Sequence, residues 1–334
     1  MVVHPARCHL ISLAIAGLVA CGGASPSTPD AAPPPPVPLH AAGVFAVSST
    51  FDVRLPIEAQ PALATLLAAT DGPDDPSRFL IDRMIAGFPD GNVKMIAIAA
   101  APYVAAYVNA RLHDIAPRFA PGLAGITTGL SRIATHFGTI ETLQIGDDGT
   151  GVRTITGIRF ELGGATTVVH LADAGITDIS AAVWATLDAT GRLAISEHTH
   201  ELPYGAMLRL GLARAVVPSV EPTAHDLAGA LATLLDCDRL GAVVAGRVGL
   251  GSPSLYGGAC RGAMTAIASE IDAHIAAIDQ AAVGIEVAGS ASAQDDGGDG
   301  AIDALRAGRW TGAVYSGQDR ELIDAARFTG AAIR

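Results

Sequence analysis

Residues 152–162 read VRTITGIRFEL, and this stretch decides the class of fold. Apolar and polar residues alternate along it, as they do in a strand with one buried and one solvated face. Gly163 and Gly164 follow at the place of a two-residue hairpin turn, and residues 166–171 (TTVVHL) supply an apolar return strand. The stretch therefore predicts an antiparallel hairpin.

Further strand patterns lie on both sides of this hairpin. They cover residues 44–55, 193–202, 284–293, 309–315 and 326–333. Helical patterns separate them, so the order along the chain is strand, helices, strands, helices, strands. Groups of strands and groups of helices, rather than alternating single elements, are typical of an α+β fold. We expect a mainly antiparallel sheet packed with several helices, one segment of them linked by a disulfide.

Two of the helical patterns are distinctive. Residues 264–278 place Met264, Ile267, Ile271 and Ile275 on one face, which is the clearest amphipathic helix in the chain. Residues 95–108 are apolar apart from an interruption at Pro102. That run is too short to span a bilayer and too apolar for an ordinary surface helix. It predicts a central core helix or, as the alternative, the wall of an apolar cavity.

The N-terminal residues have the pattern of a secretory signal peptide. Arg7 gives a basic start, an apolar run follows from Leu10 to Ala20, and a small residue precedes Cys21. The run is shorter than the roughly 20 residues that a membrane-spanning helix needs. The tetrad Leu18-Val19-Ala20-Cys21 resembles the lipobox of bacterial lipoproteins. The alternative is an ordinary secretory cut that leaves Cys21 as a free thiol.

The resemblance to lipoproteins implies a location. In that class the chain is cut before the cysteine, and the cysteine carries the lipid, so Cys21 would hold the protein on a membrane. Gly22 and Gly23 follow, without an adjacent Asp, which implies the outer membrane of a Gram-negative envelope. We expect a signal peptide over 1–20, a lipid-anchored Pro/Ala-rich tether over 21–41, and one α+β domain, or two subdomains, over 42–334.

Composition narrows the possible partners. The formal net charge is −12, and Lys94 is the only lysine. Such a chain repels phosphate backbones, so nucleic acid is not an expected partner. It also has no polybasic stretch for anionic lipid head groups, so attachment to the membrane must come from the N-terminal lipid.

Two cysteines, Cys237 and Cys260, lie in the predicted folded part. An envelope protein folds in an oxidising compartment, where such a pair forms a disulfide. We expect Cys237 to end one helix and Cys260 to begin the next, with a glycine-rich connection between them. The alternative is two buried thiols.

The densest polar cluster is residues 197–201 (EHTHE). On a strand, His198 and His200 share one face, and two imidazoles at this spacing can bind zinc. A third ligand would have to come from His170 or Asp173 near the predicted hairpin. We expect instead a solvated strand face with two exposed histidines, and no metal or other cofactor.

Two glycine-rich stretches superficially resemble ligand loops. Residues 295–300 (DDGGDG) have Arg306 at the twelfth position, where a calcium loop requires a bidentate Glu. Residues 246–253 (GRVGLGSP) lack the Gly-Lys-Ser/Thr ending of a phosphate loop, and Ser252 and Ser254 lack the context of a serine nucleophile. We interpret both stretches as connecting turns.

These observations favour a non-enzymatic envelope lipoprotein that binds an apolar ligand or another envelope protein. No catalytic residues are predicted. The alternatives are a metal-dependent hydrolase that uses His198 and His200, and a purely structural or interaction module.

Overall fold

Six of the predicted strands, together with two that the sequence patterns did not predict, close on themselves to form a barrel. The computed structural model describes residues 38–54, 76–88, 90–249, 251–280, 283–316 and 319–334. The strands in this part of the chain are β1 Gly43–Asp52, β2 His136–Ile145, β3 Thr150–Leu162, β4 Ala165–His170, β5 Ile179–Leu187, β6 Arg192–Glu201, β7 Gly284–Gln294, β8 Ala304–Ser316, β9 Asp319–Leu322 and β10 Ala325–Ala332.

Eight of these strands form the closed antiparallel barrel. Their order is β10-β1-β2-β3-β5-β6-β7-β8, and the pairing of β8 with β10 closes it. The two short strands lie beside the barrel, β4 on β3 and β9 on β8. Gly163 and Gly164 form the turn before β4 with φ angles of 58° and 82°, which is the left-handed conformation that such a turn requires.

The predicted α+β arrangement, a sheet with helices packed against it, is therefore wrong. Alternating strands bury one face, and in a barrel that face packs against the inner faces of the other strands. Phe45, Phe51, Leu143, Ile155 and Leu193 are examples of inward side chains that are at most 2% exposed. The inner faces of the sheet thus pack against one another, and helical side chains such as Tyr204 pack against the barrel residue Phe137.

The helices form two insertions between barrel strands. The first contains α1 Pro76–Ala86, α2 Asn92–Ile115 and α3 Phe119–Thr135. The second contains α4 Tyr204–Gly211, α5 Val217–Val220, α6 Leu227–Leu235, α7 Cys237–Val248 and α8 Pro253–Gln280, and a π-helical turn over Leu212–Val216 joins α4 to α5. The first insertion connects β1 to β2 and the second connects β6 to β7, so both leave and re-enter at the same end of the barrel.

The disulfide and the amphipathic helix are confirmed. Cys237 and Cys260 are bonded, with their Cα atoms 5.5 Å apart. The expected positions of the two cysteines in their helices are wrong, because Cys237 begins α7 rather than ending a helix, and Cys260 lies inside α8 rather than at its start. The bond therefore joins two packed helices. The predicted apolar face of α8 is buried, with Ile271 and Ile275 fully inaccessible.

Helix α2 differs from the predicted core helix. It continues through Pro102 for 24 residues, and Met95, Ile98 and Tyr103 are 63%, 57% and 81% exposed. By length and composition alone, its segment Lys94–Ile115 could cross a membrane. Of an apolar stretch of 18 residues in this segment, 22% is buried in the protein. Only one side of the helix packs against the protein, so the alternative prediction, the wall of an apolar cavity, describes it better.

Candidate functional site

An apolar groove lies between helices of the two insertions. Helices α1, α2, α7 and α8 form its floor and walls. Phe88, just beyond α1, and Gly251, in the loop before α8, complete the ends. The main lining side chains are Ile81, Met84, Ile85, Phe88, Ile96, Ala97, Ala100, Ala101, Val104, Val244, Val248, Leu255 and Tyr256.

The sequence explains why space remains at this place. On α1, Ile81, Met84 and Ile85 follow the i, i+3, i+4 spacing of a buried face. The opposing face of α2 carries small residues, among them Ala97 and Ala100. Side chains this short do not fill the distance between two helices, and the result is a hollow of about 210 Å³.

The volume and chemistry of the groove suit a thin apolar group. The hollow is larger than the engineered cavity of about 150 Å³ that binds benzene, and smaller than the roughly 300 Å³ at which pockets for drug-sized molecules begin. Asn92 and Tyr256 are its polar lining residues, and burial raises the pKa of the Tyr256 phenol. The described lining contains no Asp, Glu, Lys, Arg or His side chain.

A wider hollow lies on another side of the helices, between α4, α6 and α8. It measures about 460 Å³, and charged side chains such as Arg209, Asp226 and Asp272 contribute to its lining. These charged residues are solvated at the surface. An apolar group in this hollow would therefore lie beside hydrated charges, unlike one in the apolar groove.

Two guanidinium groups lie beyond one end of the apolar groove. The Cζ atom of Arg111 is 5.6 Å from the centre of the Tyr107 ring, and that of Arg247 is 5.2 Å from the same ring. Val104 lines the groove one helical turn before Tyr107, and Val248 lines it next to Arg247. The three side chains therefore form a cationic rim at the place where the apolar walls end.

A second polar cluster lies inside the barrel. Arg153 donates from Nε and Nη2 to the two carboxylate oxygens of Glu141, at 2.7 Å each. The guanidinium also stacks 4.2 Å from the ring centre of Trp310. Burial opposes the charge of Glu141, but Arg153, together with the hydroxyl groups of Thr139 and Ser49, holds the pKa of Glu141 below its usual value. The pair is an ion pair within the barrel core.

His198 joins this pair in a fixed tautomer. Its Nε2 atom lies 3.0 Å from Nη1 of Arg153, which can only donate, and its Nδ1 atom lies 2.8 Å from the carbonyl oxygen of Ser196. Nε2 therefore accepts and Nδ1 carries the hydrogen, so the imidazole is neutral. Burial lowers the pKa of His198, and the nearby charge of Arg153 lowers it further.

His200 is buried next to His198 with its ring nitrogens unpaired. The centres of the two rings are 5.2 Å apart, and neither nitrogen of His200 has a hydrogen-bond partner in the described part of the chain. Burial, followed by the charge of Arg153, lowers the pKa of His200 to about 3. Both histidines are uncharged at neutral pH, and the cluster is closed off from solvent.

The predicted solvated face with two exposed histidines is therefore wrong. The register of β6 with β7 shifts between Ile195 and His198, so the inward positions change from Leu193 and Ile195 to His198 and His200. The two histidines do share one face of the strand, as expected, but it is the inner one, where they are 6% and 1% exposed.

The additional ligands proposed for a metal do not join them. His170 ends β4, outside the barrel, and Asp173 lies in the short turn after it, and both are exposed. Within the residues that the structure describes, no three His, Cys, Asp or Glu side chains converge on one point. The donor set of the alternative metal-dependent hydrolase is therefore not assembled here.

Residues 295–300 form a turn, as interpreted, whereas the stretch 246–253 is a connection only in part, because residues 246–248 still belong to α7 and Pro253 begins α8. Asp295 accepts hydrogen bonds from the backbone amides of Gly298 and Gly300, and Asp303 accepts from the amides of Asp296 and Gly297. In the connection between α7 and α8, Ser252 accepts from the amide of Leu255 at the start of the helix. Cys21, the signal peptide and most of the tether lie outside the described residues.

Sequence reasoning missed the ion pair in the barrel and the cationic rim. A signal for Arg153 was present, because it has the same strand parity as Ile155 and so faces inward with it. No local pattern joins Arg111 to Arg247, which come from different insertions.

The chain matches no family model, no curated protein and no solved structure in comparisons with known proteins.

Proposed function

We propose that the protein is an envelope lipoprotein that binds the apolar chain of a lipid-like ligand in the groove between α1, α2, α7 and α8. The observation that supports this most is an apolar hollow of about 210 Å³, open at the surface and lined on α2 by alanines. The close-packed core of a protein contains few voids of this size.

The N-terminal sequence supports the same proposal. An acylated Cys21 would keep the protein at a membrane, at the outer membrane by its resemblance to lipoproteins, where apolar ligands are abundant. A tether of about 20 residues, rich in proline, would let the domain stand some tens of ångströms from the bilayer. The anchor, and not the acidic surface, would make the contact with the membrane.

Affinity for a series of straight-chain alcohols tests the proposal. Each methylene that enters the groove contributes about 0.8 kcal/mol, which is about fourfold in the dissociation constant. We expect displacement of the neutral dye Nile red to strengthen by about this factor per methylene from hexanol upward, and then to level off when the groove is full. A flat series would contradict the proposal.

A matched pair of variants locates the binding. Ala100→Phe places a ring in the hollow, while Ala99→Phe places the same ring on the exposed neighbouring position of α2. We expect the first variant to lose most of the alcohol binding and the second to keep it. Equal binding by both variants would show that the alcohols bind elsewhere.

A second candidate function is the docking of an envelope protein on α2. Met95 and Ile98 lie on the side of this helix away from the groove, and they are among its most exposed apolar side chains. A photo-crosslinking residue at position 98 in intact cells would test it. A specific protein adduct supports docking, and the absence of any protein adduct contradicts it.

A further inference from the structure

We propose that the groove's ligand is a single-chain fatty acid whose carboxylate binds Arg111 and Arg247 at the rim. This inference rests on the proposed function, because it assigns a head group to the chain that the groove would hold. It deepens that function by naming the ligand class and the residues that recognise its charged end.

The position of the two arginines is the first support. Ala100, Val104, Tyr107 and Arg111 are four, three and four residues apart, and the first two line the groove, so they follow one side of α2 from the groove to the rim. Arg247 approaches the same Tyr107 ring from α7. A chain lying along the groove therefore reaches both guanidinium groups at its end.

The charge of the rim is the second support. Arg83 and Arg261, on other helices, pair with Glu270 and Asp238, whereas within the described residues neither Arg111 nor Arg247 forms an ion pair. Among the described residues, Asp114, one turn after Arg111 on the same helix, does not pair with it either. In a chain of net charge −12, two neighbouring unpaired cations are complementary to an anion.

The opposite end of the groove does not offer the same chemistry. Lys94 lies there, and its ammonium group is already paired with Asp90 at 2.9 Å. The hydrogen bond and charge of Lys94 hold the pKa of Asp90 below its usual value. The pair is neutral overall, so it offers an anionic head group no net positive charge. The rim at Tyr107 is therefore the end that selects the head of the ligand.

The groove and the rim together specify one chain and one carboxylate. A hollow of about 210 Å³ accommodates a single acyl chain rather than the pair of chains of a phospholipid. Two guanidinium groups, held by their stacking on one ring, can each donate to one carboxylate oxygen. Arginine suits this task because its planar donors match the geometry of a carboxylate.

The test compares three ligands of equal chain length on the full chain carrying Cys21→Ser, so that the protein's own acyl groups do not compete. Dodecanoate, dodecanol and dodecyltrimethylammonium displace Nile red from the protein at neutral pH and concentrations below micelle formation. We expect dodecanoate to bind roughly five- to tenfold more tightly than dodecanol, the effect of two partly solvated ion pairs, and the cation to bind most weakly.

Variants assign this preference to the rim. Arg111→Gln with Arg247→Gln should bring dodecanoate to the affinity of dodecanol and leave dodecanol unchanged. Arg239→Gln is the control, since Arg239 is exposed on the same helix α7, two turns before Arg247. This control should keep the full preference for the carboxylate.

The outcomes separate the two proposals. Equal binding of dodecanoate and dodecanol to the unsubstituted rim would overturn the fatty-acid inference and leave the apolar groove intact. No binding of any of the three would overturn the proposed function itself. A preference for the carboxylate that survives in the double variant would also overturn the inference, because the head group would then bind elsewhere.

Discussion

Replacing His200 should make the protein less sensitive to acid. His200 is 1% exposed, and its pKa falls from 6.5 to about 3 on folding. Between these values the unfolded chain binds a proton that the folded chain does not, so the free energy of unfolding decreases as the pH falls below 6.5. From pH 7 to pH 5 this single group should cost about 2 kcal/mol.

His200→Leu removes that proton and tests the number directly. We expect the variant to lose about 2 kcal/mol less stability than the wild type between pH 7 and pH 5, measured by urea denaturation at both values. His198 and Glu141 are present in both proteins, so the difference between the two pH dependences reports mainly on His200. At pH 7 the variant should also be at least as stable as the wild type, because leucine removes two buried nitrogens that lack partners.

His113→Leu is the control, since His113 is exposed on α2 and its replacement should change stability by no more than about 0.5 kcal/mol at either pH. If His200→Leu and the wild type lose the same stability between pH 7 and pH 5, His200 is not a buried neutral imidazole and the placement of β6 in the barrel is wrong.

Three further predictions follow from the chain. Cys21→Ser should abolish acylation in intact-mass measurements and move the protein out of the membrane fraction; a serine variant that stays with the membranes would refute lipidation. Replacing Cys237 and Cys260 together by serine should lower the free energy of unfolding by about 3 kcal/mol, and non-reducing peptide mapping that finds two free thiols would contradict the bond. Arg153→Met should cost about 3–5 kcal/mol by leaving Glu141 buried without its partner, and adding Glu141→Leu should recover much of it; no recovery would argue against a paired charge.

Much of the local structure could be predicted because it depends on short-range patterns. The hairpin at Gly163 and Gly164, the stripe of α8 and the disulfide follow from alternation, helical spacing and the count of cysteines. Closure of the barrel could not be predicted in this way. It depends on the pairing of β8 with β10 and of β10 with β1, and no residue in those strands distinguishes an open edge from a closed one.

The candidate site was less predictable than the fold. The exposure of α2 was missed because an apolar composition does not tell which sides of a helix have neighbours. The burial of His198 and His200 depends on a shift in register next to Ile195. After this shift, each residue of β6 faces the opposite side of the sheet from the one that simple alternation would give. The rim needs two insertions to meet, and only the folded chain brings Arg111 and Arg247 to the same ring.

The closure of the barrel also constrains how the chain can mature. Phe45 pairs with Ala332, so the first barrel strand needs a partner that lies at the far end of the polypeptide. Contacts between such distant segments form slowly, because a long loop must close before they contribute stability. A chain that crosses a membrane from its N-terminus would therefore display an unpaired edge of β1 until translocation is complete, and during that interval it would be exposed to aggregation and proteolysis. Under the proposed export through an N-terminal signal peptide, holding factors on the far side of the membrane should therefore matter more for this chain than for a helical domain of equal length.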